Sequence, residues 1–198
     1  MSEQQPPPVH HSRFPRLRER LPEILLEAFS VLVAVLLAFA VEEWRDDREL
    51  AQRADEARVA IVAEIARNER ELAGVQQDLQ TTLEALENAV KATREGNPPD
   101  GLSLNVEVAL LSSAAWKTAL ATDSSRRLDY AWMLQVSELY ELQELYVRAQ
   151  WQVVQKTATF GSRRDAPVEE VLAEVLGDFR LLNTLYQGLG ESYRTTPR

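Results

Sequence analysis

Residues Ile24 to Val41 read ILLEAFSVLVAVLLAFAV, preceded by Arg13, Arg16, Arg18 and Arg20 and closed by Glu42-Glu43-Trp44. Eighteen residues with one charge, Glu27, and one hydroxyl, Ser30, are about the minimum that crosses the hydrocarbon of a bilayer as a helix. Twelve of them are Leu, Ile, Val or Phe. At roughly −0.3 to −0.6 kcal/mol each they supply about −5 kcal/mol, against at most roughly +3 for Glu27, so insertion is favoured. Glu27 lies one turn inside the span, where its carboxylate reaches the headgroups by snorkelling, with Glu23 one turn earlier on the same face. The reading predicts Arg18, Arg20, Glu27 and Trp44 as the membrane-interface residues.

Two other readings of this stretch are weaker. Ala38-Phe39-Ala40 has the small-x-small form of a signal-peptide cleavage site. Against cleavage stand Glu27 within the apolar region, a leading segment of some twenty residues, and helix-compatible sequence that runs on well past Ala40. An oligomeric pore built on a protonatable Glu27 would need a polar partner in the membrane, and this one span contains none. Orientation follows from arginine placement. Four Arg fall within residues 13–20, whereas Arg45, Arg48, Arg53 and Arg58 spread over fourteen residues, which favours a cytosolic N-terminus and a C-terminal domain outside, in the periplasm.

Charge separates the two parts of the chain. Residues 1–41 hold four Arg against four Glu, so the net charge of −9 lies wholly beyond the span, with 18 basic against 27 acidic residues. A phosphate-binding surface there would work against the overall field, so nucleic acid is not expected as a partner. The N-terminal tail, with Pro6-Pro7-Pro8 and His10-His11, reads as disordered. With no Cys, a disulfide scaffold and a thiolate site are both excluded.

Beyond Trp44 the sequence predicts one long helix to about Glu95, with no Pro and only Gly74 as a weak point. Leu50, Ala54, Ala57, Ile61, Ile65, Asn68, Leu72, Val75, Leu79, Leu83, Leu86 and Val90 step by fours and threes, about 3.64 residues per step. That is the period of a straight helix rather than of a left-handed coiled coil, and it calls for partner helices along most of its length. Gly96-Asn97-Pro98-Pro99-Asp100-Gly101 must turn the chain. Three further helices are predicted, over about 106–121, 125–159 (with Asp123 and Ser124 as its cap) and 167–194. No strand is expected. The predicted organisation is a disordered cytosolic tail (1–20), a transmembrane helix (21–44) and a helical bundle domain (45–198). The fold class is all-α: the transmembrane helix continues into a long helix that packs with about three others as an antiparallel bundle.

VLVAVLLAFAVEEWRDDRE at residues 31–49 resembles the membrane-edge signature of an uncharacterised family of bacterial single-span proteins, in which an apolar helix runs into an interfacial Trp amid charges and onward as a long helix. Ala115-Trp116-Lys117-Thr118-Ala119, Leu128-Asp129-Tyr130 and Leu139-Tyr140-Glu141-Leu142-Gln143 resemble that family's short Trp helix and the Leu-Tyr helix after it. The match covers roughly residues 24–95 well and 112–146 loosely; Ala34 stands where members tend to have Gly. The resemblance implies anchoring in the bacterial inner membrane and a helical fold, and no catalytic residues.

Reactive groups are scarce. The only His residues, His10 and His11, lie in the tail, so neither a Ser-His triad nor a His-built zinc site is expected in the bundle, and no cofactor is expected. Stalk carboxylates such as Glu64 and Glu69 form no repeated acidic pair with a His, as a di-iron bundle would require, and read as solvated helix face. Aromatic residues crowd the second half and read first as core. A ligand-binding version would use Trp116, Arg126, Arg127, Asp129, Tyr130, Tyr140 and Gln143, with the two Arg and Tyr130 at the mouth of an interhelical pocket for a small anion. The sequence therefore predicts a non-enzymatic, membrane-anchored structural or protein-interaction module that meets the bilayer and another protein or itself. The alternatives are a ligand-sensing bundle outside the membrane that works through a partner protein and, more weakly, the Glu27 pore.

Overall fold

The computed structural model describes residues 15–99, 101–102, 104–159 and 167–197. Its elements are α1 (Pro15–Gly74), α2 (Gln76–Arg94), α3 (Ala114–Ala121), a 3-10 turn (Asp123–Arg127), α4 (Tyr130–Thr159) and α5 (Val168–Thr195), with no strand among the described residues. The fold is all-α. The chain forms two compact units, one up to Glu49 and one from Leu50 onward.

In the first unit, residues 15–20 are helical rather than part of a disordered tail; Pro15 sits at the first helical position, where its fixed φ and missing N–H cost nothing. Residues 1–14, with the expected tail, lie outside the described residues. This unit contributes one helix long and apolar enough to cross a membrane, and none of its apolar window is buried within the protein.

In the second unit the predicted stripe is the buried face. Ala54, Ile61, Ile65, Leu72, Val75, Leu79, Leu86 and Val90 are all buried, and Asn68 is fully so. The long helix is interrupted, however, where the sequence predicts continuity to Glu95. At Gly74 the ladder tightens: the Val75 N–H donates to the Leu72 carbonyl at 3.3 Å, and α2 restarts at Gln76. Glycine has the lowest helix propensity after proline, and the lapse occurs there without losing the stripe's register. At the far end Gly96 takes φ +82°, and the N–H groups of Asn97 and Gly96 close onto the carbonyls of Ala92 and Thr93 at 2.9 and 3.1 Å. This is a Schellman cap, which requires the left-handed residue glycine supplies.

The helix predicted over 106–121 is helical only from Ala114; residues 104–113 are a non-helical strap lying along the bundle. Register shows that the strap is extended. Thr82 bonds Asn105 and Asn68 bonds Ser112; the fourteen helical residues from Asn68 to Thr82 span about 21 Å, and the seven strap residues from Asn105 to Ser112 span about 23 Å when extended. On α4, Gln143 and Gln150 are about 10 Å apart and hold Ser112 and Ala109, three extended residues apart. The strap thus returns the chain along α2 and α1 before α4 begins.

Helix directions follow from the cross-links. Glu64 meets Tyr140 and Asn68 meets Gln143, so α4 runs in the same sense as this part of α1. Gln143 meets Tyr193 and Lys156 meets Asp178, so α5 is antiparallel to α4; the pairs Glu87–Arg180 and Arg94–Glu169 make it antiparallel to α2 as well. α5 packs along both. α4 starts at Tyr130, not near 125: residues 123–127 form the 3-10 turn, and the capping group is Asp129, whose Oδ1 accepts the Trp132 N–H at 2.8 Å. Ser124 is instead buried against the Thr122 hydroxyl at 2.9 Å.

Candidate functional site

The chemistry of the second unit concentrates where α1, α4 and α5 close over the end of the strap. Glu64 is only 3% exposed, and Asn68 and Gln143 are buried beside it. The carboxylate is saturated. Its Oε2 accepts the Ser112 hydroxyl at 2.7 Å and the Ala115 N–H at 3.0 Å, while its Oε1 accepts the Tyr140 hydroxyl at 2.8 Å and the Trp116 N–H at 3.4 Å. Ala115 and Trp116 belong to the first turn of α3, whose own Ser113 provides no side-chain cap. Glu64 therefore caps α3 from another helix, placing a negative charge where the dipole and the unpaired N–H groups favour one. The solvated-face reading of Glu64 is thereby corrected, while Asn68 is buried as its place in the stripe predicts.

Burial by itself would raise the Glu64 pKa, but the N–H of Ala115, the hydroxyls of Ser112 and Tyr140 and the N–H of Trp116 together outweigh it and hold the carboxyl below its ordinary value. Arg67, one turn on, adds only a distant contact at 3.8 Å from an exposed position. Tyr140 moves the other way: burial first, then its bond to Glu64, pushes its phenol far above the usual range. A Ser beside a carboxylate invites comparison with a nucleophile and its base. Here the carboxylate is weakly basic and its lone pairs are already occupied, which suits a cap better than proton abstraction.

Adjacent side chains treat the strap as a sheet would treat a strand. Asn68 accepts the Ser112 N–H at 2.9 Å and donates to the Ser112 carbonyl at 2.7 Å. Gln143 donates to the same carbonyl at 3.0 Å, and its Oε1 receives Asn68 at 3.1 Å and the Tyr193 hydroxyl at 2.7 Å. Gln150 accepts the Ala109 N–H at 2.9 Å and donates to the Ala109 carbonyl at 3.2 Å. Thr82 donates to the Asn105 carbonyl at 2.9 Å. Among the described residues no buried side-chain nitrogen or oxygen lacks a hydrogen-bond partner, as a buried polar network requires to be stabilising.

The residues singled out from sequence divide into two groups. Trp116, Tyr140 and Gln143 come together: the rings of Trp116 and Tyr140 stack at 5.6 Å with 2° between planes, and Gln143 lies one turn further along α4. Arg126, Arg127 and Tyr130 stand apart from them. Arg126 is paired with Asp123 at 3.2 Å on the 3-10 turn, Arg127 and Tyr130 are exposed, and Asp129 is engaged as the α4 cap. Of the interface residues, Trp44 is exposed with the Arg48 guanidinium 5.7 Å from its ring, and Glu27 is exposed, its carbonyl accepting the Ser30 hydroxyl at 2.8 Å. Arg18 and Arg20 lie within α1, with side chains outside the described residues. Among the described residues no group of His, Cys, Asp or Glu is placed to hold a metal ion.

Spacing did not reveal Glu64, Ser112 and Tyr193 as members of one network, nor Gln150 as the separate clamp on Ala109. A signal for Glu64 was present: it lies at i+3 from Ile61 and i−4 from Asn68, on the buried face by spacing alone. No family model, curated protein or solved structure matches the chain.

Proposed function

We propose that this protein is a membrane-anchored helical module of the bacterial cell envelope that acts by structure and protein interaction rather than by catalysis. The observation that carries this reading is the exposure of the apolar helix. Leu25, Leu26, Phe29, Leu36, Leu37 and Phe39 are each 58–71% exposed. A soluble core helix of this composition would be buried by its own chain, so a lipid environment accounts for it best. α1 runs without interruption across Ala40 to Gly74, which favours a retained anchor over cleavage.

The second unit supports the non-catalytic part of the reading, because its buried polar groups are spent on holding the strap and α3. The resemblance of residues 31–49 to bacterial single-span proteins supports the envelope location, and the arginine distribution supports a cytosolic N-terminus with the bundle outside. The partners this implies are the bilayer and another polypeptide. The acidic balance of the second unit argues against nucleic acid.

Carbonate extraction of membranes and protease treatment of intact spheroplasts test the reading together. The chain should stay in the pellet at its full length, and the C-terminal unit should be digested without lysis. Release by carbonate would sink the anchor, and digestion only after lysis would reverse the orientation.

A further inference from the structure

Two shallow hollows, of about 380 and about 350 Å³, lie side by side between α4 and the strap with α3, sharing Leu111 and Val147. Together they form one continuous groove. Its α4 wall runs from Ser137 to Trp151, about 21 Å of helix axis. Large apolar side chains stand open along it: Leu110 is 74% exposed, Leu120 50% and Trp151 50%. Water-facing Leu and Trp at the mouth of a groove whose floor is packed are what a docking surface exposes before its partner arrives.

We propose that this groove binds one amphipathic helix of a partner protein, with apolar anchors at i, i+3 or i+4, and i+7 and with a basic edge toward α4. The proposal rests on the interaction-module reading and names the surface and the partner. Size selects a single helix. The length of the wall fits about four helical turns, the span over which helix-in-groove anchors act.

Charge selects the sign of that edge. Glu141 and Glu144 line the groove from α4, with Glu138 exposed on the same helix; Arg148 opposes them there, at 3.8 Å from Glu144. The α3 bank contributes Lys117 alone. The carboxylates outnumber the single Arg on the α4 bank while the α3 bank is basic, so a helix seated in the groove is favoured with its lysines or arginines on the edge that faces α4.

The test uses the full chain in zwitterionic nanodiscs. Because the chain has no Cys, Ser137→Cys places a single environment-sensitive dye in the groove. The probe is a 14-residue Leu/Lys amphipathic helix, and its control is the same peptide with Glu for Lys. The Lys peptide should shift the dye saturably, and 0.5 M salt should weaken it. Trp151→Glu or Leu110→Glu, both at exposed positions and checked for unchanged melting, should weaken binding at least tenfold. Equal binding of the Glu peptide, or binding unchanged by both substitutions, would overturn the proposal. So would a wild-type dimer that Trp151→Glu dissociates, or sedimentation with anionic vesicles that depends on Trp151. A pull-down of wild type and Trp151→Glu from native membranes separates the two levels. A stoichiometric partner held equally by both would sink the groove and leave the module reading standing, whereas no partner on the wild type would sink the reading itself.

Discussion

Replacing Glu64 should remove more stability than any other single polar change in the bundle, and the structure sets the scale. The carboxylate satisfies two hydroxyls and two backbone N–H groups in a site only 3% exposed. Glu64→Ala strands all four and opens a void, at a cost of about 3–5 kcal/mol, the range for removing one partner from a buried charged network. Glu64→Gln is the sharper probe. Each carboxylate oxygen receives one hydroxyl and one backbone N–H, so an amide must set its NH2 against either Ala115 or Trp116 whichever way it is turned. The hydroxyls can rotate to accept, but the backbone cannot. The amide should sacrifice the longer Trp116 bond and lose the charge at the α3 terminus, for about 1–3 kcal/mol. The assay is urea unfolding of the full chain in micelles, followed by tryptophan fluorescence as a function of pH. Because the folded pKa of Glu64 lies below its unfolded value, its contribution is complete above about pH 4.5 and drains away as pH falls through the lower folded value. In Glu64→Gln that acid-side loss should disappear. A Glu64→Ala variant within 0.5 kcal/mol of wild type, or an acid limb unchanged in Glu64→Gln, would refute the capping argument.

Other contacts in the bundle can be tested in the same way. Gln143→Leu deprives the Ser112 carbonyl, Asn68 and Tyr193 of one partner each and should cost about 2–4 kcal/mol, whereas Tyr193→Phe, measured in the same denaturant titration, should cost only about 1 kcal/mol. Gln150→Leu leaves both backbone groups of Ala109 unpaired; hydrogen exchange should show the Ala109 amide losing protection while the midpoints of α4 and α5 keep theirs. Gly96→Ala meets no atom within 4 Å, so its cost should be only that of a left-handed alanine, about 1–2 kcal/mol by calorimetry. Arg180→Ala breaks a 2.8 Å pair with Glu87 in which both side chains are well exposed, and a shift above about 0.5 kcal/mol would contradict the small worth of such pairs.

The helices were legible because their signal is repetition. Twelve positions at 3.64-residue spacing define the inner face of α1 and α2, and every one of them is buried or half-buried in the second unit. The strap has a repeating signal too, and it was the wrong one for a helix. Leu102, Leu104, Val106, Val108 and Leu110 alternate with polar or small residues, the period-two pattern of extended chain. Alternation of that length ordinarily indicates a strand, and a strand needs a neighbouring strand, of which none is present among the described residues. The pattern was therefore easy to absorb into the helix that follows it. What replaces the missing ladder is carried by single side chains on three helices far apart in sequence, Thr82, Asn68, Gln143 and Gln150, and such pairings have no local signature.

The same physics explains why polar residues sit in a stripe that is otherwise apolar. An extended segment laid against helices brings unpaired N–H and C=O groups into the interior, where each costs on the order of 1–3 kcal/mol if left unbonded. An amide side chain is the one side chain that offers a donor and an acceptor at peptide spacing, and Asn68 on Ser112 and Gln150 on Ala109 each satisfy both groups of one strap residue. Substituting Leu at position 68 would improve the stripe's hydrophobicity and still destabilise the bundle. A buried Asn or Gln within a heptad-free apolar stripe is therefore a sign that the helix faces backbone rather than side chains. In this chain that sign was visible in Asn68 before any helix was placed beside it.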